Sequence, residues 1–71
     1  MKLDTGTTDL LCELRDDGVL IATLNRPETR NAFSAAMGRA LGNIYEMADT
    51  NDAVRVVVVT GTPPAFCAGA D

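Results

Sequence analysis

The sequence predicts an α/β unit: a β-hairpin, one helix, and one strand parallel to the hairpin. Three observations predict it. An Asp-Gly pair separates two β-prone runs, "LLCELR" and "VLIATLN". A single apolar stripe of helical period follows them. A near-continuous β-branched run, "VRVVVVTG" at 54–61, comes last. Strand, helix and strand at this spacing make a βαβ unit, for which a right-handed crossover is the rule.

Residues 1–9 are polar and small, and are expected to form a loose N-terminal arm. In 10–15, Leu10, Cys12 and Leu14 alternate with other residues, the pattern of a half-buried strand. Asp17 and Gly18 supply hairpin turn chemistry, so 10–15 and 19–25 should pair antiparallel. Pro27 cannot donate to a ladder and pushes Arg26 toward an extended backbone, so the strand ends there. From Ser34, a good N-cap residue, the period becomes helical. Met37, Ala40, Leu41, Ile44, Tyr45 and Ala48 fall on one stripe, and the helix should run from Ser34 to about Thr50. Gly38 and Gly42 weaken it by roughly 1 kcal/mol each relative to alanine, but allow close packing. The valine run suits a strand covered on both faces, as in parallel sheet. One helix covers one face, which leaves the other to further chain or a partner.

Seventy-one residues allow one domain at most. The net charge is −4 and the six basic residues are scattered, so no basic patch argues for nucleic acid. No apolar run approaches the length of a membrane span. The opening "MKLDTGTTDLL" does not suit a secretory signal. Cys12 and Cys67 therefore read as reduced thiols, and the expected location is cytoplasmic.

There is no histidine, which removes Ser-His and Cys-His nucleophilic pairs and most zinc sites. No metal site is expected, and Cys67 reads as a packing residue. Asp16 and Asp17 read as a solvated turn, and Glu13, Glu28 and Glu46 as surface charges. "TGTPPAFCAG" invites comparison with a phosphate loop, but Pro63 and Pro64 delete two backbone donors and no lysine follows. A nucleotide-binding βαβ domain is thus a distant alternative. What remains is "AFCAGAD" at 65–71. A backbone N–H can stabilise a developing oxyanion with no functional side chain. Gly69 permits close approach, Ala68 and Ala70 keep the space clear, and Asp71 could cap a following helix. On the residues alone, a tight strand-to-helix turn accounts for this loop slightly better than a reactive one does.

"IATLNRPETRNAFS" at 21–34 and "DAVRVVVVTGTPPAFCAGAD" at 52–71, with a correctly spaced helix between them, resemble the N-terminal part of the crotonase (enoyl-CoA hydratase/isomerase) superfamily. The resemblance covers 10–71. It implies a partial spiral of ββα units, with residues 1–9 as an arm and 10–71 as the N-terminal part of a longer, truncated domain. It also implies an acyl-CoA thioester substrate, hydratase or isomerase activity in fatty acid metabolism, and no cofactor beyond the coenzyme A of the substrate. Ala70 matches the position whose backbone N–H is the first oxyanion-hole donor. Ala68 and the adjoining Gly69 match the backbone near the adenine end of CoA. Arg30, Asn31 and Ala32 match the segment beside the pantetheine and phosphates. Arg26 or Arg30 would meet a CoA phosphate, with a solvated loop arginine the alternative for each. The family's second oxyanion donor and its acid–base glutamates would lie beyond residue 71, so this chain alone is expected to be inactive. Full-length relatives imply a homo-oligomer, trimer or hexamer. The alternative is a non-catalytic acyl-CoA-binding or interaction module.

Overall fold

The structure is a computed structural model and describes residues 1–69. The elements are β1 (Lys2–Leu3), β2 (Leu10–Leu14), β3 (Val19–Leu24), a 3-10 turn (Pro27–Thr29), α1 (Ala35–Thr50) and β4 (Val56–Gly61). They form one sheet in the order β1-β2-β3-β4 with α1 on one face. β2 and β3 are antiparallel, with Cys12 opposite Ala22 and Leu14 opposite Leu20. β4 lies parallel to β3, with Val56 opposite Val19 and Gly61 opposite Leu24. The α/β class, hairpin, helix and parallel strand predicted from the sequence are all present.

The start of the chain departs from expectation. Lys2 and Leu3 are not a loose arm but a fourth strand, with Lys2 opposite Glu13 and Leu3 opposite Cys12. The Leu14 N–H donates to the Met1 carbonyl at 2.9 Å, and the N-terminal ammonium donates to the Leu14 carbonyl at 2.7 Å. The physical reason is the free edge of β2, whose unpaired backbone groups offer a template for a further strand. Two residues are too few to show a period, so polar composition concealed the pairing.

The core lies between α1 and one face of the sheet. It is built from Leu10, Cys12, Leu20, Ala22, Leu24, Met37, Ala40 and Ile44, with Val57 and Val59 packed against it. Ser34 caps α1, its Oγ accepting from the Met37 N–H at 3.0 Å. The helical stripe is displaced from expectation. Tyr45 is 46% exposed, while Met47 joins the core edge. At 3.6 residues per turn Tyr45 and Met47 sit roughly 80° from Met37 on opposite sides, so the covered stripe is rotated toward Met47 and away from Tyr45. Gly38 does permit close packing: a Cβ there would lie 3.0 Å from Phe33 Cε2, whereas Gly42 faces open space.

The outer face of the sheet carries Leu11, Val19, Ile21, Val56 and Val58, and no described element covers it. Val56 is 49% and Val58 43% exposed, so β4 is half-covered rather than enclosed.

Candidate functional site

Two loops leave the sheet at the same end. The 25–34 loop follows the C-terminal end of β3, and 62–69 follows the C-terminal end of β4. The C-terminal ends of parallel strands are where open α/β sheets place their ligands.

The first loop is fixed by an unusual backbone. Pro27 starts the 3-10 turn, and Arg30 closes it in the left-handed region at φ 54°. Asn31 follows at φ 60°. Left-handed backbone is uncommon outside glycine, and asparagine is among the residues that tolerate it best. Two successive residues in this region turn the chain sharply, and the Asn31 N–H donates to the Arg26 carbonyl at 2.7 Å.

That turn drives the Asn31 side chain inward, where it is fully enclosed. Its Oδ1 accepts from the Arg26 N–H at 2.7 Å. Its Nδ2 donates to the carbonyls of Thr62 at 2.8 Å and Ala65 at 2.6 Å. Both amide donors are therefore spent on the second loop. Further ties join the same two segments. Thr62 Oγ1 donates to Asn25 Oδ1 at 2.9 Å, the Thr62 N–H to the Leu24 carbonyl at 2.9 Å, and the Phe33 N–H to the Gly69 carbonyl at 2.9 Å. Gly61 completes the fit. A Cβ there would collide with the Phe66 carbonyl oxygen and approach the Ala65 carbonyl oxygen and Phe66 Cα to 2.8 Å.

A second cluster braces the first loop. Asp9 Oδ2 accepts from Ser34 Oγ at 2.7 Å and lies 3.9 Å from Arg26 Nε. Arg26 Nη1 donates to the Ala32 carbonyl at 2.8 Å. The cap of α1, the arginine and the chain before β2 thus share one carboxylate.

The residues singled out from the sequence divide into two groups. Asn31 and Arg26 face inward. Asn31 does not present its side chain to a ligand in this structure, and Arg26 is largely enclosed, its side chain only 17% exposed. Ala32 is half-buried. Arg30, Ala68 and Gly69 are exposed, and Gly69 has φ 100° with open space where a Cβ would stand. Ala70 and Asp71 lie outside the described residues. Sequence reasoning passed over Asp9, Asn25, Gly61 and Thr62. Their only signal was position, polar or small residues at strand ends. Among the described residues no cluster of His, Cys, Asp and Glu could hold a metal ion. No described helix is long and apolar enough to cross a membrane.

A cavity of about 390 Å³ lies between β1 and α1, lined by Leu3, Leu14, Ile44 and Met47 among others. It shares no lining residue with the two loops.

A family model described as enoyl-CoA hydratase/isomerase matches residues 15–71. Mevalonyl-coenzyme A hydratase of Aspergillus fumigatus is 45% identical over 53 residues, 75% of this chain and 20% of that protein. The 2,3-dehydroadipyl-CoA hydratase of Escherichia coli is 46% identical over 57 residues, 80% of this chain and 22% of that protein. The crystal structure of enoyl-CoA hydratase from Mycobacterium smegmatis superimposes with a TM-score of 0.83 at 43% identity, over 92% of this chain and 29% of that one. The chain thus spans 20–22% of the length of these two curated relatives. Because the matched residues include both loops, the helix and the parallel strand pair between them, the chain belongs to the enoyl-CoA hydratase/isomerase family.

Proposed function

We propose that this segment forms the thioester-holding side of an acyl-CoA site in a hydratase or isomerase, with coenzyme A entering as part of the substrate and no separate cofactor. The observation that carries the reading is the joining of 25–34 to 62–69 at the C-terminal end of the parallel pair, with Ala68 and Gly69 left exposed. A segment held this way can offer backbone donors at a fixed place, and pre-set donors are what stabilise charge developing on a thioester oxygen. In this reading the N–H of Ala70 is the donor, and the open space at Gly69 admits the acyl group. Ala68 lines the path of the CoA chain. The exposed Arg30 meets a phosphate, while Arg26 supports the loop through the Ala32 carbonyl.

The chain by itself is not expected to turn substrate over. Enzymes lower barriers by roughly 8–23 kcal/mol, and one oxyanion donor supplies only about 3–4 of that. The carboxylate that braces the first loop, Asp9, is engaged by Ser34 and Arg26.

Titration calorimetry of this chain with crotonyl-CoA tests the reading. Saturable heat should appear, and Arg30→Ala should weaken binding by about tenfold through loss of a charge-assisted contact. Replacing the Gly69–Ala70 amide by an ester removes one donor with little change of shape, and should weaken binding less than Arg30→Ala does. No saturable binding by the parent chain would overturn the assignment.

A further inference from the structure

We infer that Asn31 is a positioning residue, whose side-chain amide sets where the 62–69 segment stands and thereby sets the geometry of the thioester site. The role in the site rests on the function proposed above; the role in holding the segment rests on geometry alone.

Three features single out this amide. It is fully enclosed, and its three hydrogen bonds all go to backbone. Both of its N–H donors cross to the second loop, 31 and 34 residues further along the chain. Its backbone stands in the left-handed region beside a second such residue, so the side chain is aimed by the turn and not by a rotamer choice alone. The two carbonyls it serves bracket the Thr62–Ala65 turn. Two donors on a single planar group therefore fix the turn's position and its rotation together.

Packing holds the segment at one point, the half-buried Cys67 against the core, and leaves its neighbours loosely covered. Ala65 is half-buried, Phe66 is 58% exposed, and Ala68 and Gly69 are exposed. Steric exclusion at Gly61 limits how the turn can sit but attracts nothing. Beyond Ala65, among the described residues, the Phe33 N–H ties the segment to the first loop by donating to the Gly69 carbonyl. Removing the amide leaves two carbonyls without their donor in an enclosed place, and the turn must shift to hydrate them.

Two substitutions separate positioning from general destabilisation. Asn31→Gly deletes the amide and still accepts φ 60° without strain. Asn31→Asp keeps the size and the acceptor but loses both donors, and places a carboxylate against two carbonyl oxygens. Amide hydrogen exchange of the full chain should show the Phe33 N–H, which donates to the Gly69 carbonyl, and the Thr62 N–H, which donates to the Leu24 carbonyl, exchanging at least tenfold faster in both variants at pH 7, with Leu20, Ala22 and Ile44 unchanged. In Asn31→Asp, after correction for intrinsic exchange, the Phe33 and Thr62 amides should slow again as pH falls, because the protonated acid regains one O–H donor. Crotonyl-CoA affinity should fall at least tenfold in both variants at pH 7. Parental exchange at both Phe33 and Thr62 in Asn31→Gly overturns the inference. So does an acceleration shared equally with Leu20 and Ile44, which marks global unfolding. A loosened segment with parental affinity overturns the link to the site. If the parent chain binds no crotonyl-CoA, the proposed function fails, while the exchange measurements still decide whether Asn31 holds the segment.

Discussion

The two ends of the sheet are closed by different means. At the hairpin end, the chain turns on itself with local backbone bonds: the Arg15 N–H donates to the Val19 carbonyl at 2.9 Å and the Gly18 N–H to the Arg15 carbonyl at 3.0 Å. Asp17 caps the turn by accepting from the Val19 N–H at 3.1 Å. β4 enters by adding the Arg55 and Val56 N–H groups to the Gly18 carbonyl. At the opposite end, side chains reaching far along the sequence add to the backbone bonds of Thr62 and Phe33. Asn31 joins Thr62 and Ala65, Thr62 joins Asn25 over 37 residues, and Ser34 joins Asp9 over 25. The first end is a turn that its own residues specify. The second is assembled only when the rest of the fold brings its parts together, and it is the end that leaves Ala68 and Gly69 accessible. A long-range junction can hold a loop open at its rim.

The largest effect should come from Gly61→Ala, which attacks the long-range end. The new methyl meets backbone on the Phe66 and Ala65 side, and backbone cannot step aside as a flexible side chain can. We expect a loss of about 3 kcal/mol, with the melting temperature falling by more than 10 °C. A melt within a few degrees of the parent would show that the 62–69 segment yields easily and that this end is not rigidly joined.

Gly18→Ala makes the matching change at the hairpin end. Here φ is 88°, and the nearest obstruction is the Arg55 side chain, 2.5 Å from the new Cβ at Cγ. That stem can swing away, leaving chiefly backbone strain of about 1–2 kcal/mol. A cost above that of Gly61→Ala would invert the comparison.

Ser34→Ala removes the α1 cap and the hydrogen bond to Asp9. A lost N-cap typically costs about 1 kcal/mol, measurable by urea unfolding. Exchange should rise first at the Met37 N–H and at Arg26, on the site end, before any change at the hairpin. Equal change at both ends would mean that the Asp9 cluster serves overall stability and not this junction.

The smallest effect belongs to the middle of the sheet. Burial pushes the Cys12 thiol up from its ordinary value. The folded chain keeps that proton to higher pH than the unfolded chain does. The resulting stability is complete below the unfolded thiol's pKa and is lost as pH rises through the raised folded value. Unfolding free energy measured from pH 7 to pH 10 should therefore fall more steeply in the parent than in Cys12→Ala, with both sheet ends loosening together. Identical slopes would remove Cys12 from the account.

What could be read from the sequence follows the same division. The Asp-Gly hairpin, the Ser34 cap and the valine strand were legible because each is a local pattern that one short window displays. Asn31 was noticed, but as a residue for CoA; its partners are carbonyls, which carry no residue identity and leave no trace in sequence. β1 escapes sequence reading because two residues show no period, and Tyr45 escapes it because periodicity gives a stripe but not the rotation at which the helix settles on the sheet.

The amino-acid sequence by itself determined the order and type of the main elements, the turn chemistry, and the family whose motifs these residues carry. Only the tertiary structure decided which of four consecutive valines face inward. Val57 and Val59 pack against the core and Val56 and Val58 do not, although the residues are identical, because α1 lies on one side of the sheet. It also decided that an exposed-looking loop asparagine becomes an enclosed brace. Local propensity acts within a few residues, whereas burial and long-range hydrogen bonds exist only once distant segments meet.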